Sequence, residues 1–130
     1  VDEIVDAAAG GRPDILDGLL LRAEAGGLAV HQIMAAMNRH FLALHKARLS
    51  IDDGQPARFA VERFEPPVFF RRKAAVERQL GLWTTERLNR TIARLAEATY
   101  ETRAKSKLSA AIASRVLMSI ATTARQGARG

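Results

Sequence analysis

Residues 30–52 read VHQIMAAMNRHFLALHKARLSID and form the longest stretch of helical apolar spacing in the chain. On a helical wheel, six apolar side chains of this stretch fall within roughly 100°, the width of a core-facing stripe. The six are Ile33, Met34, Met37, Phe41, Leu44 and Ile51. The stretch therefore predicts one long helix with a face buried in the core.

Glycine and proline divide the chain on the N-terminal side of this helix. Residues 2–9 have the composition of a short helix that the glycine pair 10–11 ends. Pro13 suits the first turn of a second helix over residues 13–25, and the glycine pair 26–27 suits its end. These glycines are not followed by Lys-Ser or Lys-Thr, so they indicate helix ends and not a phosphate-binding loop.

Four further helices are expected on the C-terminal side. Pro56 opens a short one that Pro66-Pro67 ends, and residues 68–81 form the next, with Phe69, Val76 and Leu80 on its core side. Thr84 is the expected N-cap of a helix over residues 85–104, and Ser109 of a helix over 110–125.

The sequence thus predicts an all-α, bundle-like domain of six or seven helices. No alternating apolar-polar run is long enough for a strand. With 130 residues there is room for one domain, which we place at residues 1–125 with a frayed tail over 126–130. Because the first residue is Val1, we expect the domain to belong to a longer protein.

Charge is unevenly distributed along the chain. The net charge is +6, but residues 1–30 carry six acids and two bases, whereas residues 31–130 carry eighteen bases and eight acids. The net charges of these parts are therefore −4 and +10. A basic body favours polyanions or acidic proteins as partners through long-range attraction.

Residues suited to catalysis or metal binding are scarce. The chain has no cysteine, and its three histidines are His31, His40 and His45. The last two are five residues apart, whereas zinc-binding pairs on a helix are four apart. No Gly-x-Ser-x-Gly motif is present either. We therefore predict a non-enzymatic protein with no catalytic, cofactor-binding or metal-binding residues. The apolar runs are also too short to cross a membrane.

Three groups of residues stand out from this background, and each has a structural and a functional interpretation. Arg48 falls inside the apolar arc of the long helix, so its guanidinium must reach the helix end, a carboxylate or carbonyl groups, or else contact a partner.

Residues 66–73, PPVFFRRK, place aromatic side chains beside three cations. There Phe69 is expected in the core, with a base-stacking platform as the alternative. Phe70 is turned about 100° away.

The third group is Arg87, Arg90 and Arg94, which lie on one side of the predicted sixth helix, away from its apolar stripe. Because Glu97 and Glu101 continue the same face, it is either a solvated mixed-charge surface or a partner contact.

In their order and spacing, these blocks resemble the C-terminal helical domain of the bacterial DNA polymerase III delta subunit, a clamp-loader protein. The resemblance extends from about residue 2 to residue 123. It rests on Arg39, His40, Phe41, Leu44, Ala47 and Arg48, on Pro66, Pro67, Val68, Phe69, Phe70, Arg72 and Lys73, on Leu80 and Trp83 ahead of Leu88, Ile92 and Leu95, and on Ala113, Arg115 and Leu117. Ser109 stands where family members commonly have a proline, which is a departure from the pattern.

The resemblance implies a cytoplasmic assembly module of the replication machinery. In that family the C-terminal domains of neighbouring subunits, of the gamma/tau and delta-prime types, pack into a pentameric collar. The N-terminal part of such subunits, which this chain would then lack, opens the sliding clamp. The chain would then contact DNA only indirectly and need no cofactor, and Arg87, Arg90 and Arg94 would be candidate partner contacts. The alternative is a basic helical domain that binds nucleic acid itself.

Overall fold

The computed structural model describes residues 1–129 and consists of helices joined by short turns. The seven α-helices are α1 (Asp2–Ala9), α2 (Pro13–Ala25), α3 (Val30–Asp52), α4 (Ala57–Glu62), α5 (Lys73–Leu80), α6 (Thr85–Ala104) and α7 (Ser109–Arg129). Two 3₁₀ turns, Phe70–Arg72 and Ser106–Leu108, precede α5 and α7. Residues 1–129 contain no strand, so the predicted all-α class with six or seven helices is confirmed.

The core lies between α3, α6 and α7, the three longest helices. The packing of α3 on α6 is the most extensive helix contact, followed by that of α6 on α7. The short helix α1 contacts α2, α3 and α7, which explains why Ala8 and Ala9 are fully buried. The predicted stripe of α3 faces this core: five of its six residues are buried, and Ile51, near the helix end, is partly buried.

Helix ends follow the glycine and threonine signals. Gly11 has φ +74°, a left-handed conformation that glycine adopts without strain. A side chain there would also meet the backbone of Arg125 in α7. At the start of α6, the hydroxyl of Thr84 accepts a hydrogen bond of 3.1 Å from the backbone N–H of Arg87. The predicted N-cap of α6 is therefore confirmed.

Two predicted helix starts are wrong. The chain stays extended at Phe69 (φ −57°, ψ 135°), so α5 begins at Lys73 and not at 68. Ser109 already has helical dihedral angles (φ −56°, ψ −45°), because the 3₁₀ turn leads directly into α7, and it is not an N-cap.

The last helix is longer than predicted. It extends to Arg129, whereas the sequence analysis placed its end near residue 125 and a frayed tail after it. Ala124 is fully buried, and Gly127 lies so close to the backbone carbonyl of Leu82 that no side chain would fit between them. This packing accounts for the added helical length. Gly130, the end of the predicted tail, lies outside the described residues.

Among the helices of residues 1–129, none combines the length and the apolar character needed to cross a membrane.

Candidate functional site

Two of the sequence blocks, through His40 and Arg72, meet in one polar cluster. We call it the Asp6 cluster: Asp6 of α1, His40 of α3, Arg72 before α5 and Gln79 of α5. Arg72 donates two hydrogen bonds, of 2.8 and 2.9 Å, to the two carboxylate oxygens of Asp6. Gln79 donates its amide N–H to Asp6 Oδ1 at 2.9 Å, and its Oε1 lies 2.6 Å from His40 Nε2. The carboxylate of Asp6 therefore joins α1 to Arg72 and to α5, and Gln79 connects it to His40 of α3.

The pKa values of Asp6 and His40 are both lowered in the Asp6 cluster, but for different reasons. Burial by itself raises the pKa of Asp6, but the hydrogen bonds from Arg72 and Gln79 outweigh it, so the pKa lies below 3.8 and the carboxylate is ionised. Burial lowers the pKa of His40 below 6.5, although Gln79 and the charge of Asp6 oppose this shift. At neutral pH the cluster therefore holds an ion pair next to a neutral imidazole.

An aromatic pair lies beside the Asp6 cluster. The rings of Phe41 and Trp83 pack edge to face with their centroids 5.1 Å apart. The indole N–H of Trp83 donates to the carbonyl oxygen of Ala9 at 2.9 Å, so this fully buried tryptophan has its polar group satisfied. Leu44, one turn further along α3 from Phe41, is also fully buried. These motif residues therefore build the core.

Two roles were predicted for Arg48, an anchor within the fold and a partner contact, and its hydrogen bonds are those of an anchor. Its Nε donates to Asp52 Oδ1 at 3.0 Å, and its Nη1 donates to the carbonyl oxygen of Leu80 at 2.9 Å. The second bond satisfies an acceptor at the C-terminal end of α5. Arg48 thus fastens α5 to α3, as the anchoring interpretation predicted.

The prediction for Phe69 is wrong. Its side chain is 62% exposed, and that of Phe70 is 71% exposed. The helical-wheel argument assumed that the helix starts at residue 68, but the extended backbone at Phe69 turns its ring outward, and Val68 is the buried residue instead. The two rings contact each other edge to face at 5.9 Å, next to exposed Pro66, Pro67 and Arg71.

The remaining cations of the motif blocks lie at the surface or near it. Lys73 pairs with Glu62 of α4 at 2.8 Å, which ties α5 to α4. Arg39 is exposed and lines a groove of about 350 Å³ between α3 and α4. The floor of this groove is apolar, with Ala43, Ala47 and Phe64 among its lining residues.

The candidate contact residues of α6 differ from one another. Arg90 is exposed and forms only a 3.5 Å pair with Glu86. Arg94 is exposed and donates to the hydroxyl of Ser119 at 2.9 Å, which connects α6 to α7. Arg87 is half-buried and lies beside Gly127. The exposed positive charge of this face is therefore centred on Arg90 and Arg94.

Sequence reasoning missed Asp6 and Gln79, which complete the cluster around His40 and Arg72. Asp6 gave no signal beyond the acidic composition of the N-terminus, because its partner Arg72 is 66 residues away. Within residues 1–129, no group of three or more histidine, aspartate or glutamate side chains is placed to hold a metal ion. The hydrogen bonds of the Asp6 cluster run between its own side chains and connect α1, α3 and α5.

A comparison of the chain with protein-family models, curated proteins and solved structures gives no match.

Proposed function

We propose that this chain is a non-catalytic assembly domain of a bacterial clamp loader, of the delta-subunit collar type. It would pack beside the helical domains of gamma/tau-type and delta-prime-type subunits, and reach the sliding clamp only through an N-terminal part of the same protein.

The observation that carries the proposal is the convergence of the motif blocks. The block at 39–48, the block at 66–73 and Trp83 are far apart in sequence, yet they meet around the Asp6 cluster and the Phe41–Trp83 pair. Residues that together build one core specify a fold, which is the contribution expected of an assembly domain. The exposed surface then remains available for neighbouring subunits.

Reconstitution tests this proposal. The purified chain is mixed with gamma/tau-type and delta-prime-type clamp-loader subunits and separated by size-exclusion chromatography with light scattering. We expect one copy of the chain to co-elute with the assembly, with little dependence on salt because the core of a collar interface is apolar. A chain that elutes alone at every mixing ratio would overturn the proposal.

A second candidate function, binding of single-stranded nucleic acid, is favoured by the exposure of Phe69 and Phe70. Exposed aromatic rings beside Arg71, on a body of charge +10, have the chemistry of a base-stacking platform. Fluorescence anisotropy with a labelled oligothymidine separates the two functions. Nucleic-acid binding would fall steeply with salt and would be lost in Phe69→Ala with Phe70→Ala. The matched control is Phe59→Ala, which removes another exposed ring.

A further inference from the structure

Two helix faces of this chain carry the same pattern with opposite charge. On α2, Asp17 and Glu24 flank Leu21, whose side chain is 61% exposed. On α3, Arg39 and Lys46 flank Leu42, whose side chain is 57% exposed. We call the first the acidic face and the second the basic face. All four charged residues are exposed.

Each set lies on one side of its helix. Asp17, Leu21 and Glu24 line the same small depression, next to the N-terminal turns of α7. Arg39, Leu42 and Lys46 line the groove between α3 and α4, whose other wall adds the cation Arg63 and one acid, Glu65. Each face therefore offers its leucine and its two charges in the same direction.

The charges of both faces lack partners within the described chain. None of Asp17, Glu24, Arg39 and Lys46 forms an ion pair within residues 1–129. No residue of opposite charge lies three or four positions away on the same helix, where a pair could form. This contrasts with neighbouring Asp14, which pairs with Arg12 at 3.0 Å.

The spacing of the two faces matches in one orientation. Asp17 precedes Leu21 by four residues and Glu24 follows it by three, whereas Arg39 precedes Leu42 by three and Lys46 follows it by four. When the helices run antiparallel with the leucines opposed, Asp17 meets Lys46 and Glu24 meets Arg39. In each helix the outer charges are seven residues apart, about 10.5 Å along the axis.

We propose that these faces bind each other between two copies of the chain, with α2 of one copy lying antiparallel on α3 of the next. The contact buries Leu21 against Leu42 and the apolar floor of the groove, and it closes two ion pairs. The charge asymmetry of −4 before residue 31 and +10 after it favours the same head-to-tail encounter at long range. This self-association does not depend on the proposed clamp-loader function.

A contact between two helices is smaller than a standard interface of about 1,600 Å². Association is therefore weak, and we expect it between about 0.1 and 1 mM chain at low ionic strength. Sedimentation velocity should show a mass that rises with concentration and falls back to the monomer in about 0.5 M salt. Amide NMR signals of residues 17–24 and 39–46 should shift over the same concentration range.

Charge reversal on each face supplies the decisive test. Arg39→Glu with Lys46→Glu, and separately Asp17→Lys with Glu24→Lys, should each weaken self-association about tenfold or more, because like charges then face each other. Lys105→Glu with Lys107→Glu is the matched control for the first variant, and Glu97→Lys with Glu101→Lys for the second. These residues are also exposed and lie on neither face.

Mixing the two reversed variants tests whether self-association is restored. The variant with reversed α2 carries two basic faces, and the variant with reversed α3 carries two acidic faces. The mixture should therefore associate, with the two variants in contact, where each alone does not. Circular dichroism confirms that both variants are folded, and Lys46→Glu alone replaces the double variant if that one unfolds. A wild-type chain that stays monomeric at about 1 mM, reversed variants that associate as the wild type does, or a mixture that stays monomeric would overturn the proposal. If the wild type is monomeric, the basic face does not bind a second copy of this chain, and its occupant would be a different acidic protein.

Discussion

Phe41 and Phe69 come from the two most distinctive blocks of the sequence, and their environments are opposite. Phe41 is fully buried against Trp83, whereas the ring of Phe69 is mostly exposed. Phe41→Ala should therefore lower the free energy of unfolding by about 3–5 kcal/mol, because it leaves a cavity in the core. Phe69→Ala should change it by no more than about 0.5 kcal/mol. Urea unfolding followed by circular dichroism measures both, and equal losses would contradict the assigned environments.

His40 makes the stability of the fold depend on pH. Its pKa in the folded chain lies below the unfolded value near 6.5, because burial disfavours the imidazolium, and the charged groups around it are Asp6, Arg72 and Asp2. The unfolded chain therefore binds a proton first as the pH falls. This contribution to stability is complete above pH 6.5 and is lost progressively below it. Protonation of Asp6, whose pKa is also lowered, adds a second loss below pH 3.8.

The measurement is the free energy of unfolding in urea at pH 7.5, 6.0 and 5.0. We expect it to fall toward pH 5 in the wild type and to fall less in His40→Gln, which removes the titrating group. His31→Gln is the matched control, since His31 is exposed on the same helix. A His40→Gln variant with the wild-type pH dependence would exclude His40 as the cause.

At the scale of the helices, replacing Gly18 and Gly127 with alanine distinguishes the effect of helix propensity from that of packing. Both lie inside helices, where alanine is favoured over glycine by about 0.5–1 kcal/mol. A methyl group at Gly18 would meet no other atom within 4 Å, so Gly18→Ala should stabilise the chain by about that amount. At Gly127 the same methyl group would collide with the carbonyl of Leu82, so Gly127→Ala should lower the melting temperature. Differential scanning calorimetry compares the two variants, and stabilisation by both would mean that α7 does not pack against Leu82.

Helix ends that lie next to a glycine pair, a first-turn proline or a capping threonine were predictable from the sequence. The bounds of α1, α2, α3 and α6 follow from signals that act within a few residues, and these are the elements whose ends the sequence analysis located correctly. The segment before α5 was not predictable in the same way. Its extended backbone at Phe69 depends on tertiary contacts, including Val68 in the core and the bond from Arg72 to Asp6.

The candidate site was predictable only in part, for a related reason. The need of Arg48 for a carboxylate or carbonyl partner follows from its place in an apolar arc, and the structure supplies both. The Asp6 cluster instead depends on contacts between residues 39 to 73 positions apart, such as His40 with Gln79 and Gln79 with Asp6. No local pattern contains such pairs, so they emerge only from the packing of α1, α3 and α5.

At the scale of the whole molecule, the outer side of α6 and the α2 and α3 faces are separate surfaces with separate tests. Arg90 and Arg94 are exposed on α6, and neither lines the groove between α3 and α4. A variant that blocks self-association through α2 and α3 can therefore retain incorporation into a clamp loader, and the reverse also holds.

Reversal of the α6 charges tests the collar proposal at this surface. Arg90→Glu with Arg94→Glu should change the free energy of unfolding by no more than about 1 kcal/mol, since both side chains are exposed and lose only a 3.5 Å pair and a bond to Ser119. Arg87 is left unchanged because its side chain lies against Gly127. In a subunit interface, however, like charges brought together cost several kcal/mol.

We therefore expect the variant to keep its melting temperature and to be incorporated poorly into a reconstituted clamp loader, as measured by gel filtration. Lys105→Glu with Lys107→Glu, which changes the net charge equally, should be incorporated as the wild type is. Normal incorporation of the Arg90 and Arg94 variant would show that this side of α6 faces solvent, and the collar contact would then have to involve α3 or α7.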